Sequence, residues 1–471
     1  MSDTREASDM RKASGDGPVY GFYGDDFTGA TDTLAHLARA GLRTMLFFAP
    51  PDAVRLSMLG RLDAVGIAGA ARTMPPQVQH QELARAGAAF AALGVRVMHY
   101  KVCSTFDSAP QTGSIGVAIR TLREYCANPL IAVVGGQPNL RRYCVFGELF
   151  AAAGADDRPQ SIYRIDRHPT MSRHPVTPMN EADLRVHLQR QGLENVQSID
   201  WRCYAGDDAA LQTALDCRLD SKPDAVLFDV LDDSHLRAIG RLIARHARTQ
   251  APLLAVGASS VAQAYASALN DAGERGEVNV VPPSLARARG PVFVLAGSLS
   301  PLTEVQIAAA QSYLRVELDP LQMTGDAAAD YLATRVAAIV GPLRDGRNVL
   351  AFTTRRAARA TNATDAAEAR GALPQLAHAC ASLLQQVLDK VSLQRIGIAG
   401  GDTSSFAVRA LDAWGLSYLA PLSAGVTVCR LHAERSDLDG MEIMLKGGQM
   451  GDADLFEQLL NGYAGVEADK D

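Results

Sequence analysis

The chain lacks the cysteine pattern of a disulfide-bonded or zinc-binding protein. It has 471 residues and seven cysteines, which are scattered along the sequence and never stand as Cys-x-x-Cys. An odd number of isolated cysteines indicates neither a disulfide framework nor a zinc site. We therefore expect reduced thiols, as in a cytoplasmic protein.

Long apolar runs and an excess of basic charge are also missing. No stretch approaches the ~20 apolar residues that a membrane span needs. The net charge is −6, so nothing favours a nucleic acid or an anionic membrane as partner. Residues 1–17 are polar and contain no apolar core of a signal peptide, and we expect them to form a disordered tail. A soluble cytoplasmic protein is predicted.

Strand-like apolar runs alternate with helix-like segments through most of the chain. This alternation predicts an α/β fold, in which helices cover both faces of a largely parallel sheet. Residues 270–289 are mostly polar, contain Pro282 and Pro283, and have the character of a linker. We therefore predict two domains, 18–285 and 286–471. The predicted strands are 19–23, 44–48, 64–67, 95–100, 130–134, 225–228, 253–256, 292–296, 315–318, 348–352, 395–399 and 441–446.

The stretch at 20–33, YGFYGDDFTGATDT, joins a strand-like run to a helix-like segment through a glycine turn. The turn carries two neighbouring carboxylates, Asp25 and Asp26, for which we predict a functional role. Its spacing is nearly that of a Walker A loop, but Ala30 stands where the lysine should be, and the acids would repel phosphate. Carboxylates at a helix N-terminus suit hydroxyl groups or a cation, which favours a polyol substrate. The alternative is that both acids only cap the helix.

A dense row of polar residues follows the run at 95–100. In this row Lys101, Ser104 and Thr105 are candidates for binding a carboxylate or hydroxyl groups. Cys103 would be a poor nucleophile without a nearby base. The alternative is a polar loop that binds no ligand.

Two further segments carry basic side chains. Residues 167–184 are proline-rich and too polar for a core element, and they include Arg173 and His174, of which His174 is a candidate substrate ligand. A glycine turn earlier in the chain leads to Arg141 and Arg142, which have the chemistry to bind an acid. A pair of surface charges is the preferred interpretation for these two arginines.

The C-terminal half contains three glycine turns, each after a strand-like run. In the first, Ser298 and Ser300 stand just before Pro301, which suits the first turn of a helix. The free N–H groups at such a helix start form a candidate anion site. The alternative is a well-capped helix without a ligand.

The second turn contains Gly400 and Gly401, followed by Asp402 and Thr403 at the start of a predicted helix whose apolar face extends to Trp414. Paired glycines let a backbone approach a phosphate closely, and hydroxyl groups add donors. We therefore predict contact with a phosphate or nucleotide. A plain strand-to-helix turn is the alternative.

The third turn follows a strand predicted to end at Lys446. It contains Gly447, Gly448 and Gly451, and we predict that Asp452 caps the last helix. The alternative is a flexible loop. A solvated surface charge is an equally good interpretation of Lys446.

From about Val19 to Leu460 the chain resembles the four-carbon acid sugar kinase family. GDDFTGATD contains the family's DDxTGA core, and HPVTPMNEADL is similar to its HP-x-T-PM segment. GSLSPLTEVQ, GGDTSS and LKGGQMG resemble its GSCS-x-x-T, GGET-S and KSGNFG motifs. No single motif is decisive, but five motifs in the family's order are specific.

The resemblance implies an acid-sugar-binding N-terminal domain and a nucleotide-binding C-terminal domain, with the active site in the cleft between them. It implies ATP-dependent phosphorylation of a terminal hydroxyl of a small acid sugar, with Mg²⁺ bridging the phosphates and Asp25 or Asp26 accepting the hydroxyl proton. The partners are then the acid sugar and ATP, and a homo-oligomer is compatible with the sequence. The implied substrate-binding residues are Lys101, Ser104, Thr105, Arg173 and His174, and the implied nucleotide-binding residues are Ser298, Gly400, Gly401, Asp402, Thr403 and Gly448.

The chain departs from the family at residues 103–108, CSTFDS, where most members carry a DSTLRG-like sequence. Cys103 replaces the aspartate and Asp107 replaces the arginine, which changes the usual mode of carboxylate recognition. We therefore expect a variant acid, such as a 3-oxo-tetronate or the branched 3-oxo-isoapionate, rather than threonate. Two other replacements, Asp402 for glutamate and Gly447 for serine, are chemically mild.

Two other functions remain open from the sequence. A non-catalytic module that binds or senses a sugar acid would keep the two domains without turning over ATP. A nicotinamide-dependent acid-sugar dehydrogenase would also contain α/β domains. However, no G-x-G-x-x-G follows an early strand with an acid ~20 residues further on, which argues against the dehydrogenase.

Overall fold

The computed structural model describes residues 17–153, 161–174, 176–271, 284–297, 300–353, 363–448 and 450–463, with the backbone alone at 363–374 and 402. Contacts between residues divide the chain into two compact units, Met1–Val280 and Val281–Asp471. Each unit is an α/β structure with a largely parallel sheet, as the alternation of strand-like and helix-like segments predicted.

The first unit is built on eight parallel strands. In sheet order they run β2-β3-β1-β4-β11-β5-β10-β9. Every residue of β1, β3, β4 and β11 is buried, as expected for a parallel sheet covered on both faces. A separate antiparallel sheet has the order β6-β7-β8. The bounds are β1 Tyr20–Gly24, β2 Thr44–Phe47, β3 Ala64–Ala68, β4 Val97–Lys101, β5 Ile131–Val134, β6 Arg142–Val145, β7 Glu148–Ala152, β8 Ile162–Arg164, β9 Val196–Ile199, β10 Ala225–Phe228 and β11 Leu253–Gly257.

The helices of the first unit begin and end at residues with clear capping chemistry. Asp26 caps the first helix by accepting a hydrogen bond from the Gly29 N–H, and the apolar side of that helix buries Leu34 and Leu37. The bounds are α1 Phe27–Arg39, α2 Ala53–Leu59, α3 Pro76–Leu93, α4 Ile115–Leu122, α5 Leu184–Gln189, α6 Asp208–Leu219, α7 Asp233–His246 and α8 Ser260–Asp271.

The second unit has a mixed sheet of seven strands. In sheet order they run β13-β14-β12-β15-β18-β17-β16, and the first five are parallel while β17 and β16 form an antiparallel hairpin at one edge. The strand bounds are β12 Val292–Ala296, β13 Leu314–Leu318, β14 Val349–Thr353, β15 Arg395–Ala399, β16 Ala413–Ser423, β17 Val426–Ala433 and β18 Glu442–Lys446. The helix bounds are α9 Pro301–Ala309, α10 Pro320–Thr324, α11 Ala328–Arg344, α12 Ala363–Leu388, α13 Gly401–Ala410 and α14 Leu455–Asn461.

All twelve predicted strands are present, but two local predictions are wrong. The helix predicted to carry Trp414 ends at Ala410, because Asp412 adopts a φ of 49° and Trp414 belongs to β16. The residue at the start of the last helix is Asp454 rather than Asp452, whose carboxylate instead accepts a hydrogen bond from Ser423. In the described residues, no helix is both long and apolar enough to cross a membrane.

Candidate active site

The polar segments singled out in the N-terminal half meet at one edge of the first sheet. The chain proceeds from β1 to β3 and β2 on one side and to β4, β11 and β5 on the other, so the strand order reverses between β1 and β4. Ligands of parallel α/β sheets bind outside the carboxyl ends of the strands at such a reversal. Asp25 follows β1 directly, and Val102 follows β4, which ends at Lys101.

A guanidinium that the sequence interpretation missed holds both loop carboxylates. Arg72 lies in a short 3-10 turn after β3, and it donates to Asp25 through Nε (3.0 Å) and Nη2 (2.7 Å). Its third nitrogen, Nη1, lies 2.8 Å from Oδ2 of Asp26. The Arg72 backbone N–H also donates to the Asp25 carbonyl oxygen. The two acids are therefore fixed by one partner and do more than cap the helix.

Lys101 completes this cluster from the end of β4. Its Nζ lies 3.5 Å from Oδ1 of Asp26, and the same oxygen accepts the Gly29 N–H at 2.9 Å. Gly29 is required by this arrangement, since a Cβ built there would lie 1.5 Å from the Lys101 Nζ. The sequence motif thus contains a glycine because the lysine side chain occupies that space.

Burial and the two cations act in opposite directions on the carboxylates. Burial raises the pKa of Asp25 and outweighs the lowering by Arg72 and Lys101. Burial also raises the pKa of Asp26, but Arg72, Lys101 and the Gly29 N–H together bring it well below its usual range. The lowered pKa favours the ionised form of Asp26, whereas Asp25 is the more basic of the two carboxylates.

The Lys101–Thr105 segment continues into a second hydrogen-bonded network. Thr105 Oγ1 donates to Oδ1 of Asp107 at 2.6 Å, and the Cys103 sulfur lies 2.9 Å from the same hydroxyl. Burial and the neighbouring Asp107 raise the pKa of Cys103 to about 11, so its thiol is not a nucleophile at neutral pH. Ser104 is half-buried between them.

The histidine segment joins this network through Thr177. The Thr177 hydroxyl donates to Oδ2 of Asp107 at 3.4 Å and lies 3.1 Å from Nδ1 of His174. The predicted residues Thr105 and His174 are therefore linked through two side chains, Asp107 and Thr177, that were not among the predicted site residues. Arg173 is exposed at the end of a 3-10 turn beside them.

The three glycine turns of the C-terminal half also follow neighbouring strands. They leave β12, β15 and β18, which are adjacent in the second sheet at its own reversal of strand order. Backbone hydrogen bonds connect the turns, because the Gly297 N–H donates to the Ala399 carbonyl and the Gly400 N–H donates to the Lys446 carbonyl, both at 2.9 Å. The described parts of the three glycine turns therefore lie next to one another.

The second turn has the geometry of an anion cradle. Gly400 has a φ of 128°, which favours glycine, and α13 begins at the next residue, so the first backbone N–H groups of this helix have no partner within it. A Cβ at Gly297 would lie 2.2 Å from Oγ1 of Thr403, so only glycine lets these two turns pack together. The side-chain oxygen of Ser404 is buried there and has no hydrogen-bond partner among the residues that the structure describes. The backbone of Asp402 lies in α13, but its side chain and Ser298 lie outside the described residues.

The third turn is tied to the start of α9. The hydroxyl groups of Ser300 and Thr303 both donate to the Gly448 carbonyl oxygen, and Ser300 also caps α9 as predicted. The Lys446 Nζ donates to Oγ1 of Thr303 at 3.1 Å and to Oε1 of Gln306. Gln306 in turn donates to two carbonyl oxygens of the third turn.

Lys446 is not the solvated surface charge that the sequence allowed. It is fully buried, and its Nζ donates to the uncharged side chains of Thr303 and Gln306. Burial accordingly lowers the pKa of Lys446 to about 7. Lys446, at the end of β18, therefore has uncharged hydrogen-bond partners in the described part of the chain.

Comparisons with known proteins match the two halves of the chain to two different domain families. A family model described as a sugar-binding N-terminal domain matches residues 20–265, and one described as a nucleotide-binding C-terminal domain matches residues 293–456. A 3-oxo-isoapionate kinase from Paraburkholderia graminis is 36% identical over 461 residues, which cover 95% of each chain. The chain belongs to the four-carbon acid sugar kinase family.

Further members of the acid sugar kinase family match over nearly the same length. A 3-oxo-tetronate kinase from Methylobacterium radiotolerans is 30% identical over 447 residues, 94% of this chain and 98% of that one. One from Cupriavidus necator is also 30% identical, over 459 residues, 95% of this chain and 98% of that one. A solved Salmonella typhimurium LT2 structure has a TM-score of 0.69 at 23% identity, covering 93% of this chain and 97% of that one, and supports the fold.

Proposed function

We propose that the protein transfers the γ-phosphoryl group of ATP to a terminal hydroxyl of a small acid sugar of the 3-oxo-isoapionate or 3-oxo-tetronate type. The observation that carries this proposal is the match to kinases of such acids over 94% or more of the chain, which includes both clusters of site residues. The departure at residues 103–108 adds support for a 3-oxo acid rather than threonate.

The reaction we propose has one covalent step. The hydroxyl oxygen of the acid sugar attacks the γ-phosphorus, the bond from that phosphorus to the β-phosphate oxygen breaks, and ADP leaves. The hydroxyl proton passes to a carboxylate. We assign that role to Asp25, because burial raises its pKa, and we assign to Asp26 the role of holding Lys101 and the start of α1. Phosphoryl transfer otherwise requires mainly alignment and charge neutralisation.

The nucleotide would bind at the three glycine turns. The N–H groups at the start of α13, the close packing of Gly297 on Thr403 and the unpartnered Ser404 hydroxyl fit a group rich in phosphate oxygens. We propose Ser298, Gly400, Gly401, Asp402, Thr403 and Gly448 as its contacts. Mg²⁺ prefers oxygen ligands and is typically bound through substrate phosphates, so we propose that it enters with ATP and neutralises phosphate charge.

The acid sugar would bind at the edge of the first sheet. Thr105 and His174 lie in the network around Asp107, Lys101 lies against Asp26, and Ser104 is half-buried beside Thr105 in the chain. We propose these four residues as substrate contacts together with Arg173. Since ATP and reduced thiols belong to the same compartment, we also propose a cytoplasmic location.

A coupled assay of ADP release tests the function. Purified full-length protein with Mg-ATP is offered 3-oxo-isoapionate, the 3-oxo-tetronates, and D- and L-threonate and erythronate. We expect turnover with a 3-oxo acid and little with threonate. If no acid is phosphorylated but a thermal shift still reports binding of one of them, the protein is a sugar-acid binding module instead.

A further inference from the structure

Arg142 lies beside the candidate acid-sugar site, although its sequence context favoured a surface charge. It begins β6, just after the glycine turn that follows β5, and it exchanges two backbone hydrogen bonds with Gln137. Gly136 has little space for a side chain in this turn, since its Cβ would lie 2.9 Å from Val230. The turn therefore brings Arg142 back to the carboxyl end of β5, on the same sheet edge as the segments that follow β1 and β4.

The guanidinium of Arg142 has no acidic partner among the described residues. Its Nη1 donates to the Leu140 carbonyl oxygen, and its Nε is buried without a hydrogen-bond partner. Burial lowers the pKa of Arg142, and only Cys103 and Tyr143 act in the opposite direction. By contrast Arg141, its neighbour in sequence, is exposed. A half-buried cation whose buried Nε donor is unused is a costly arrangement unless an anion binds to it.

Arg142 lies close to the segment that carries the histidines. It pairs with Ala151 of β7, and the carbonyl oxygen of the next residue, Ala152, lies 3.3 Å from Nε2 of His168, in the segment that also carries His174. The charge of Arg142 accordingly contributes to the lowered pKa of His168.

The other cations at this sheet edge are already neutralised by the protein. Arg72 forms ion pairs with Asp25 and Asp26, and Lys101 lies against Asp26. The segment after β4 has no guanidinium to bind an incoming acid, because Asp107 stands where the family motif has arginine. The Asp107 oxygens instead accept hydrogen bonds from the hydroxyl groups of Thr105 and Thr177.

We infer that Arg142 binds the carboxylate of the acid sugar and sets the preference of the site for acids over neutral sugars. The inference rests on the proposed function. A planar guanidinium suits a carboxylate because two parallel N–H donors match its two oxygens, which an ammonium group cannot reproduce. Arg142 thus supplies the charge that the altered CSTFDS segment does not.

The test compares an acid with its neutral analogue in matched variants. Arg142→Met removes the charge, Arg142→Lys keeps the charge without the planar fork, and Arg141→Asn is the control at the exposed neighbour, whose φ of 56° asparagine tolerates. For each variant, kcat and KM are measured with 3-oxo-isoapionate and with its primary amide, and acid binding is measured by titration calorimetry without ATP.

We expect Arg142→Met to weaken binding of the acid about 10- to 100-fold, with KM rising accordingly. The KM for the amide and for ATP should stay within about threefold of wild type, and Arg142→Lys should recover part of the loss. Arg141→Asn should behave as wild type. The inference is overturned if a folded Arg142→Met or Arg142→Lys variant binds the acid as tightly as wild type.

The two proposals fail in different ways. If wild type binds the acid but never releases ADP, the proposed kinase function is wrong, while the calorimetric comparison still decides the role of Arg142. If wild type phosphorylates the acid and the Arg142 variants keep its affinity, the kinase function stands and Arg142 is a structural residue. If Arg142→Met does not fold, the role of Arg142 is decided by comparing Arg142→Lys with wild type in their affinities for the acid and for the amide.

Discussion

Arg72 Nη2 lies 2.7 Å from Oδ1 of Asp25, and the carboxylate of this ion pair is shielded from water while the arginine is partly exposed. The Asp25 side chain is 6% exposed and that of Arg72 is 20% exposed. Because Arg72 also contacts Asp26, the two carboxylates of the loop share one guanidinium, and Lys101 supplies the second positive charge. The pair therefore determines whether the loop keeps its shape and whether Asp25 can accept a proton.

We expect Arg72→Met to inactivate the enzyme and to destabilise the first unit. Removing one partner of a buried pair leaves an uncompensated charge, which typically costs about 3–5 kcal/mol. Urea denaturation measures the loss, and the ADP-release assay measures activity. Arg61→Met is the matched control, because the Arg61–Asp63 pair is at the surface, and it should change the free energy of unfolding by less than about 1 kcal/mol. Equal effects of the two substitutions would contradict the assigned role of Arg72.

The sequence predicted both sheets but not the residue that organises the first site. The strands are short apolar runs whose identity follows from composition and spacing, and parallel α/β folds place their loops at one edge. Arg72 lies in a three-residue 3-10 turn without a motif. Its partners are 47 and 46 positions away, so only the order of β1, β3 and β4 reveals the contact.

Side-chain direction and backbone conformation explain the remaining errors. Arg142 and Lys446 carry charges that usually face water, and the sequence does not show that the structure buries the Lys446 side chain and the Nε atom of Arg142. Trp414 stands at helical spacing from Leu411, but the positive φ of Asp412 ends the helical region before it. A pattern of residue types indicates neither feature.

Gly29→Ala tests the space that Lys101 occupies. A new Cβ would lie 1.5 Å from the Lys101 Nζ and 2.6 Å from Oδ1 of Asp26, so the lysine must move away from its carboxylate. We expect kcat/KM to fall at least about tenfold if Lys101 orients the substrate. We also expect stability to fall, although alanine is intrinsically better than glycine in a helix by about 1 kcal/mol.

Gly341→Ala is the control for that helical preference. Gly341 lies in α11, and a Cβ there meets nothing within 4 Å. Pro342 follows and disfavours the helical region for a preceding residue with a Cβ, so this substitution should raise the free energy of unfolding by less than about 1 kcal/mol, without changing activity. If Gly29→Ala were stabilising to the same degree and remained active, Lys101 would not need its present position.

Lys446 predicts a specific dependence of stability on pH. Its pKa is about 7 in the folded chain, because of burial, and that of an unfolded lysine is about 10.4. Between these values the unfolded chain binds the extra proton, so the free energy of unfolding rises with pH, by at most about 1.4 kcal/mol per unit. Below pH 7, Lys446 is protonated in both the folded and the unfolded chain, and the cost of burying its charge lowers the free energy of unfolding in full.

Lys446→Met should remove that contribution. The difference in unfolding free energy, wild type minus variant, is expected to increase from pH 7 to pH 10 in urea titrations, whereas other groups titrate equally in both proteins and cancel. Lys390→Met, at an exposed position, should give a flat difference. A flat difference for Lys446→Met as well would mean that Lys446 keeps its proton in the folded state.

Gly297→Ala tests whether the first and second glycine turns bind one nucleotide. The added Cβ would lie 2.2 Å from Oγ1 and 3.0 Å from Cγ2 of Thr403, so the start of α13 must shift relative to β12. Because phosphate contacts depend on close backbone approach, we expect the KM for ATP to rise about tenfold or more and the KM for the acid sugar to stay nearly constant.

A double-mutant cycle separates crowding from other effects of Gly297→Ala. Thr403→Ala removes both crowded atoms, so Gly297→Ala combined with Thr403→Ala should lose less ATP affinity than the sum of the single losses. Gly290→Ala is the control, because a Cβ at that position meets nothing within 4 Å, and its kinetics should equal those of wild type. Strict additivity, or an equal rise of both KM values, would indicate that the two turns do not act together on the nucleotide.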